Sequence, residues 1–327
     1  MKKMKEMLAA VAGIDVSKKT LDVTLLNEKG GKQRKRFANT TAGIKDLLTW
    51  LAQKTSRAVH VCLESTSVYW EDVAEALHEA GQVVSVVNPV RIKGYAMSQL
   101  RRSKTDPLDG DVIADFCRTQ KPDLWQPPTA EQKKLRALVR HLEALKKSRT
   151  QQQNRLSTCR DEEVRASLEM VLATLQQEIE RLEKRIRDFI DQYPDLKQKK
   201  ELLEPIKGFG KKTAIHILAE MYDLSEYKNA KAVAADAGVT ASHYRSGTSV
   251  RKRSKMSRMG KATIRSALYF PSISAIHHNP VVKQLANRLT AKGKKKSVIR
   301  VAAMRKLMHL AFGVLKNQTP FDPAYAG

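Results

Sequence analysis

The chain has 327 residues, with 60 Lys and Arg against 34 Asp and Glu, a formal net charge of +26. Its hydrophobic content of 42% excludes a disordered basic tail, and at roughly 150 residues per domain there is room for two domains and a connector. Between Asp236 and Asp322 there are 18 Lys and Arg and no acid, a one-signed field that repels itself unless a polyanion lies against it.

Nucleic acid fits that role, because phosphate neutralisation by Lys and Arg drives its binding. A membrane surface does not, since no long apolar span or lipidation signal is present. The opening MKKMKEMLAAVAG has a charged head, but its apolar run stops at the strand carrying Asp15, so it is not read as a signal peptide. Cys62, Cys117 and Cys159 form no CxxC pattern and suit reduced thiols in a cytosolic protein.

Ala12–Leu26 (AGIDVSKKTLDVTLL) reads as a buried strand, a tight turn and a second strand in which Leu21, Val23 and Leu25 alternate with Asp22, Thr24 and Leu26. Asp15 sits among apolar residues. It is either a metal ligand, because an unpaired buried carboxylate is costly, or a strand-end acid capping a turn through Ser17. Lys32–Phe37 predicts a third strand, and Asn39-Thr40-Thr41 an N-cap for a helix whose inner face is Ile44, Leu47, Leu48 and Leu51. Ala58–Leu63 suits a central parallel strand that ends at a second carboxylate, Glu64. A helix over Tyr69–Ala80 and a strand over Val83–Val87, closed by Asn88-Pro89, complete an α/β pattern with a mixed sheet.

In Arg101–Arg118, Pro107 suits the first turn of a helix, followed by Leu108, Val112, Ile113 and Phe116 at helical spacing. Asp106 and Asp109 share one face at its N-terminal end, where the helix dipole alone would favour them. Asp111 and Asp115 read as solvated positions on another face. Two long helices follow, Gln132–Ser157 and Glu162–Gln192. In the second, Leu168, Leu172, Leu175, Ile179, Leu182, Ile186 and Phe189 step by four and three, a heptad repeat that predicts a coiled-coil hairpin for dimerisation or leverage.

Leu202–Met221 (LLEPIKGFGKKTAIHILAEM) places Gly208, Gly210, Lys211 and Lys212 between two apolar helices, like a helix-hairpin-helix whose N–H groups face a phosphate. Phe209 between the glycines equally suits a core plug. After a short helix at Ala230–Ala237, Thr240–Arg253 (TASHYRSGTSVRKR) reads as a polar, basic loop in which Ser246-Gly247 alone would be a turn. Amphipathic helices are predicted over Lys261–Ser272, Pro280–Leu289 and Ser297–Leu315. Lys292–Lys296 (KGKKK), with Lys294, Lys295 and Lys296, reads as a phosphate-binding loop.

Asp15, Glu64, Asp106 and Asp109 fall on one presumed sheet edge. Such a set suits two Mg²⁺ ions about 4 Å apart that clamp the attacking and leaving oxygens of phosphoryl transfer. His60 and His141 read as incidental.

GIDVSKKTLDV, Glu64-Ser65-Thr66, Asn88-Pro89 and KTDPLD resemble the RuvC-like half of the DEDD transposases of the insertion-sequence-110 family. GFGKKTA, DAGVT, Tyr244-Arg245-Ser246-Gly247 and MRKL at Met304–Leu307 are similar to that family's second domain, and the match runs in order over nearly the whole chain. The resemblance implies an α/β RuvC/RNase H-like domain over 1–128 and a helical coiled-coil hairpin over 129–196. A mostly α-helical transposase domain with a helix-hairpin-helix-like motif follows over 197–327.

It further implies a site-specific recombinase of an insertion sequence in the bacterial cytoplasm, nucleoid-associated when bound to DNA. Asp15, Glu64, Asp106 and Asp109 would hold Mg²⁺, and Ser246 would form a covalent phosphoserine link to DNA. A structured non-coding bridge RNA would pair with double-stranded target and donor DNA. Homodimers would assemble into a homotetramer, with RuvC and serine parts from different protomers. Arg245, Arg251 and Arg253 suit stabilisation of the charged transition state.

The chain departs from the family pattern at Ser67, Gly110 and Ala241, and Ser242 and Ser249 are neighbouring hydroxyls that could assist. A metal-dependent RuvC-type junction nuclease, with Ser246 a turn residue, is the alternative. A non-catalytic nucleic-acid scaffold is the third reading.

Overall fold

The computed structural model describes residues 10–27, 31–65, 67–99, 106–246, 250–257 and 259–325, without the side chains of 106–108, 243–246, 250–254 and 325. The chain divides into two compact units, Met1–Pro128 and Thr129–Gly327. No helix among the described residues is long and apolar enough to cross a membrane.

The first unit is built on a five-stranded sheet in the order β3-β2-β1-β4-β5. Its strands are β1 (Ala10–Val16), β2 (Thr20–Asn27), β3 (Lys32–Ala38), β4 (Val59–Glu64) and β5 (Val83–Val87). The first three pair antiparallel, while β1 with β4 and β4 with β5 pair parallel, the mixed α/β sheet that the strand and helix periods predict. Period-2 alternation sorts the side chains between two faces. Ile14, Val16, Leu21, Val23 and Leu25 pack under α1 (Thr41–Lys54) and α2 (Glu71–Glu79), against Leu47, Trp50 and Leu77. On the opposite face, Cys62 and Val87 meet Ile92 of α3 (Pro89–Ser98) and Val112, Ile113 and Phe116 of α4 (Asp106–Gln120).

The helix α3 is an addition to the elements expected from sequence. Asn88 and Pro89, read there as a strand stop, are the N-cap and first position of a helix, and the Asn88 side chain accepts from Val90 N at 2.9 Å. The two sheet edges are handled differently. Beside β5, Trp125 N donates to Val84 O at 2.8 Å, so the segment after α4 covers that edge. At the β3 edge every residue except Phe37 is exposed.

The second unit opens with α5 (Ala130–Thr158) and α6 (Glu162–Gln192), an antiparallel pair. Thr129 and Gln132 form a capping box on α5, and Asp161 caps α6. Across the pair Arg149 donates to Gln176 at 2.6 Å and Lys146 meets Glu183 at 3.0 Å. Along α6, Leu168, Ile179, Leu182, Ile186 and Phe189 are buried, whereas Leu172 and Leu175 are half-buried. The pair shares one continuous core with the helices that follow.

Those helices are α7 (Pro194–Leu203), α8 (Lys211–Met221), α9 (Ala230–Asp236), α10 (Ala262–Ala267), α11 (Tyr269–His278), α12 (Pro280–Ala291) and α13 (Lys296–Asn317). Leu307, Met308, Ala311 and Leu315 of α13 lie within this core beside Ile217 and Val233. The helix expected over Lys261–Ser272 is two helices, α10 and α11, that meet at Leu268.

The Thr240–Arg253 stretch differs from its sequence reading as a loop. It forms an antiparallel hairpin of β6 (Ala241–Ser246) and β7 (Val250–Met256), with a register shift between Ser242 and Tyr244. Its density of polar residues hides the period, because the strands form no buried apolar stripe in the sequence.

Candidate active site

The acids of the first unit are positioned by sheet register and by the packing of α4. Gly13 of β1 pairs with Cys62 of β4, and Ile14 with Leu63. A Cβ on Gly13 would overlap the backbone of Gly110 and Ala114, so this face of the sheet lies directly under α4. Asp15 and Glu64 come two residues after Gly13 and Cys62, which puts both carboxylates in one row on the α4 face. Each is half-buried at the C-terminal end of its strand.

The helix runs back along the sheet, from Gly110 beside Gly13 and Asp22 to Cys117, whose Sγ reaches His60 O at 3.5 Å. Its first turn therefore stands at the end of the sheet that carries Asp15 and Glu64. Asp109 is in that turn and half-buried, and Asp106 is its first residue, with a side chain outside the described ones. The structure thus brings Asp15, Glu64 and Asp109 to one edge, and Asp106 begins the same helix three residues before Asp109. Each of the three has an interaction partner. Among the described residues, no group of three or more His, Cys, Asp or Glu is gathered closely enough to hold a metal ion.

The β1–β2 turn is closed by Ser17, whose Oγ accepts from Thr20 N at 2.9 Å and from Lys19 N at 3.3 Å. A further acid belongs to the same row. Asp22 pairs with Asp15 across the hairpin, and Arg36 pairs with Asp22 and donates to its carboxylate at 2.7 Å. The tight turn at Ser17 is the sequence signal for this partnership, since a short hairpin fixes which residues face each other.

Asp111 requires a correction. Read from sequence as solvated, it is 3% exposed and receives bonds from Thr24 Oγ1 (3.0 Å), Lys32 Nζ (2.7 Å) and Arg34 (2.9 and 2.5 Å). Burial pushes its carboxyl up, but the bonds from Arg34, Lys32 and Thr24 outweigh this and hold it at about 2. Asp115 is engaged too, accepting from Tyr95 Oη at 2.7 Å. His60 is buried against Ser85 Oγ at 2.8 Å, and burial lowers its pKa.

In the second unit, Ser246 is the last residue of β6 and pairs with Val250, while Arg245 pairs with Arg251. The side chains of Arg245, Ser246, Arg251 and Arg253 lie outside the described ones, as do Gly247 and Ser249 altogether. The alternative of Phe209 as a core plug matches its burial at 2% exposure. Gly208 has a φ of 105° and lies against Pro271 and Ala275 of α11 with no room for a Cβ. Gly210 is the N-cap of α8, and Lys211 and Lys212 begin that helix on the surface, Lys212 lying 3.5 Å from Glu183. Lys294, Lys295 and Lys296 are exposed where α13 begins.

An acidic edge on an α/β sheet and a separate basic helical unit are the two parts that a protein working on nucleic acid needs. Two family models match in the same order. A DEDD transposase model of the IS110 group covers residues 12–162, and a transposase model of the IS116/IS110/IS902 family covers residues 200–287. The chain is 33% identical over 317 residues to the pilin gene-inverting proteins of Moraxella bovis and Moraxella lacunata, covering 95% of this chain and 97% of theirs. Among solved structures, Thermus thermophilus RuvC aligns with 36% of this chain and 99% of its own length at 15% identity, with a TM-score of 0.28. The same organism's RuvC with a Holliday junction substrate gives 13% identity and a TM-score of 0.27. The protein is a transposase. It belongs to the IS110 family of insertion-sequence transposases.

Proposed function

We propose that this transposase is a site-specific recombinase that cuts and exchanges DNA strands through a phosphoserine intermediate at Ser246. The observation that carries the nuclease half is the acidic row, with Asp15 and Glu64 on adjacent strands and Asp109 on the helix above them. Hard carboxylate oxygens are the donors that Mg²⁺ takes, and Asp15, Glu64, Asp106 and Asp109 are the residues that would hold it. The ion would supply charge stabilisation at the phosphate and a lowered pKa for the attacking hydroxyl.

The serine hydroxyl attacks a DNA phosphate, breaks the phosphodiester and leaves a phosphoserine ester with a free strand end. The end of the exchanged strand then attacks that ester and releases the serine. Arg245, Arg251 and Arg253, on the strands that carry Ser246, supply fixed positive charge toward the phosphate. Lys211 and Lys212 beside Gly208 and Gly210, together with Lys294–Lys296, position the backbone of the duplex.

A structured bridge RNA selects target and donor, so site choice lies in the RNA. Protomers pair through the long helices, and dimers join into a tetramer in which acids and serine come from different chains. In division of labour, 1–128 supplies the acids, 129–196 the dimer contact and 197–327 the serine, all in the cytoplasm where the DNA is.

The test uses labelled DNA carrying the element's ends, with the co-transcribed RNA present. Wild-type protein should form a denaturation-resistant DNA adduct. Ser246→Ala should form none while still binding DNA and RNA. An adduct of undiminished yield from that variant refutes the serine assignment. Metal-dependent nicking without any adduct, by wild type and variant alike, would instead favour a RuvC-type nuclease.

A further inference from the structure

Two aromatic rings stand open on the surface of the second unit, and the acid-and-serine chemistry uses neither. Phe270 is 76% exposed and Tyr269 39% exposed at the start of α11. They meet edge to face, with centroids 5.2 Å apart and planes at 84°. Arg300 of α13 lies over the Tyr269 ring at 4.5 Å and donates to its hydroxyl at 2.5 Å, so the tyrosine is clamped from one side. Phe270 is held by Tyr269 through this contact and leaves most of its surface to solvent. A ring this open beside a second aromatic offers a face on which a ligand can stack.

The surroundings say what kind of ligand that is. Lys296 is four residues before Arg300 on α13, hence on the same helical face, and it ends the Lys292–Lys296 loop. Tyr269, which braces the open ring, is therefore held by a cation one helical turn from a run of exposed lysines. The sequence around it has no acid from 237 to 321. A second copy of this chain would bring that one-signed field against itself. A π-face beside cations is the footprint of a nucleotide, the base stacking on the ring and the phosphate meeting lysine.

We propose that Phe270, braced by Tyr269 and Arg300, is a stacking platform for an unpaired base of a DNA strand. It would hold the strand that exchange leaves single, and in that respect it rests on the recombinase reading. A base inside an intact duplex has no free face to offer, so the platform distinguishes opened DNA from closed.

The test measures binding of the full chain by fluorescence anisotropy to a labelled thymidine 12-mer, to an abasic 12-mer of equal charge and to a blunt duplex, with a uridine 12-mer run alongside these three. Wild type should prefer the thymidine strand over the abasic one by about tenfold. Phe270→Ala should erase that preference while duplex binding stays within twofold. Phe270→Trp should keep it. No preference in wild type, or an equal loss by Phe270→Ala on all three ligands, overturns the proposal. So does a preference confined to a uridine 12-mer, which would assign the ring to RNA, or a concentration-dependent dimer that Phe270→Ala abolishes. A chain that forms no DNA adduct but keeps the base preference loses the recombinase reading alone. One that forms the adduct but shows no base preference loses only the platform.

Discussion

Asp111 shows how far a single residue can stand from its sequence neighbourhood. Its carboxylate is closed off from water and joins α4 to Thr24 of β2 and to Lys32 and Arg34 of β3, so a helix and an edge strand share one charge. Its folded pKa is depressed from 3.8 to about 2, so the stabilisation is fully present above the unfolded value and is lost as pH falls from about 4 through 2. The depression corresponds to about 2 kcal/mol. Asp111→Asn should lower stability by about that much at pH 7, and urea melts of wild type and variant should converge as the pH is taken down to 2. A gap that stays constant over that range would mean that packing, not charge, is lost. Nothing in the spacing of α4 announces this role, because the partners lie 77 and 79 residues away and α4 alone shows only an acid on its polar side. The row of Asp15 and Glu64 was more legible. Glu64 ends an apolar run, Asp15 comes one residue before the end of another, and the parallel pairing of Ile14 with Leu63 leaves the two side by side.

At the scale of elements, the contact of α4 with β1 decides whether the acidic edge exists. Gly13 and Gly110 bring helix and strand so close that a methyl group at Gly13 would meet the backbone of both Gly110 and Ala114. Gly13→Ala should push α4 outward and destabilise the first unit by about 1–3 kcal/mol, since backbone cannot rotate aside as a side chain can. DNA cleavage should fall further than the loss of folded protein explains, because Asp109 rides on the displaced turn. Cleavage that tracks the folded fraction alone, measured beside circular dichroism, would detach the packing from the chemistry. Sequence periodicity finds α4 and the strand it covers, but not their distance, which depends on two residues lacking side chains. The hairpin of β6 and β7 is the opposite case, an element whose sequence carries no apolar stripe. Its pairing is written in backbone bonds and cross-strand neighbours, which composition does not display.

For the whole molecule the dominant quantity is charge. The 18 Lys and Arg between Asp236 and Asp322 should make DNA affinity fall steeply as salt rises, with each phosphate contact adding about 0.9 to the slope for duplex DNA. Replacing Lys294, Lys295 and Lys296 together with Ser should weaken binding at low salt and flatten that slope by about two to three. An unchanged slope would show that the loop touches no phosphate. That an acid-bearing α/β pattern gives way to long helices and then to a stretch without acids is readable from the sequence. The joining of the long helices to the later ones through a single core was not, because a heptad stripe looks the same whether a partner chain or its own chain covers it.

The two edges of the sheet carry one more consequence. One is covered by the chain itself at Trp125, while β3 is exposed over residues 32–36, where Lys35 and the excess of Lys32 and Arg34 over their shared Asp111 leave net positive charge. Two such edges approaching each other would align cation against cation, which blocks the strand-to-strand docking that seeds aggregates. That protection is electrostatic and so has a range, about 10 Å at 0.1 M salt and about 3 Å at 1 M. The chain's solubility is thereby tied to its ionic surroundings. High salt, the usual means of stripping nucleic acid from a basic protein, also removes the guard from its exposed strand.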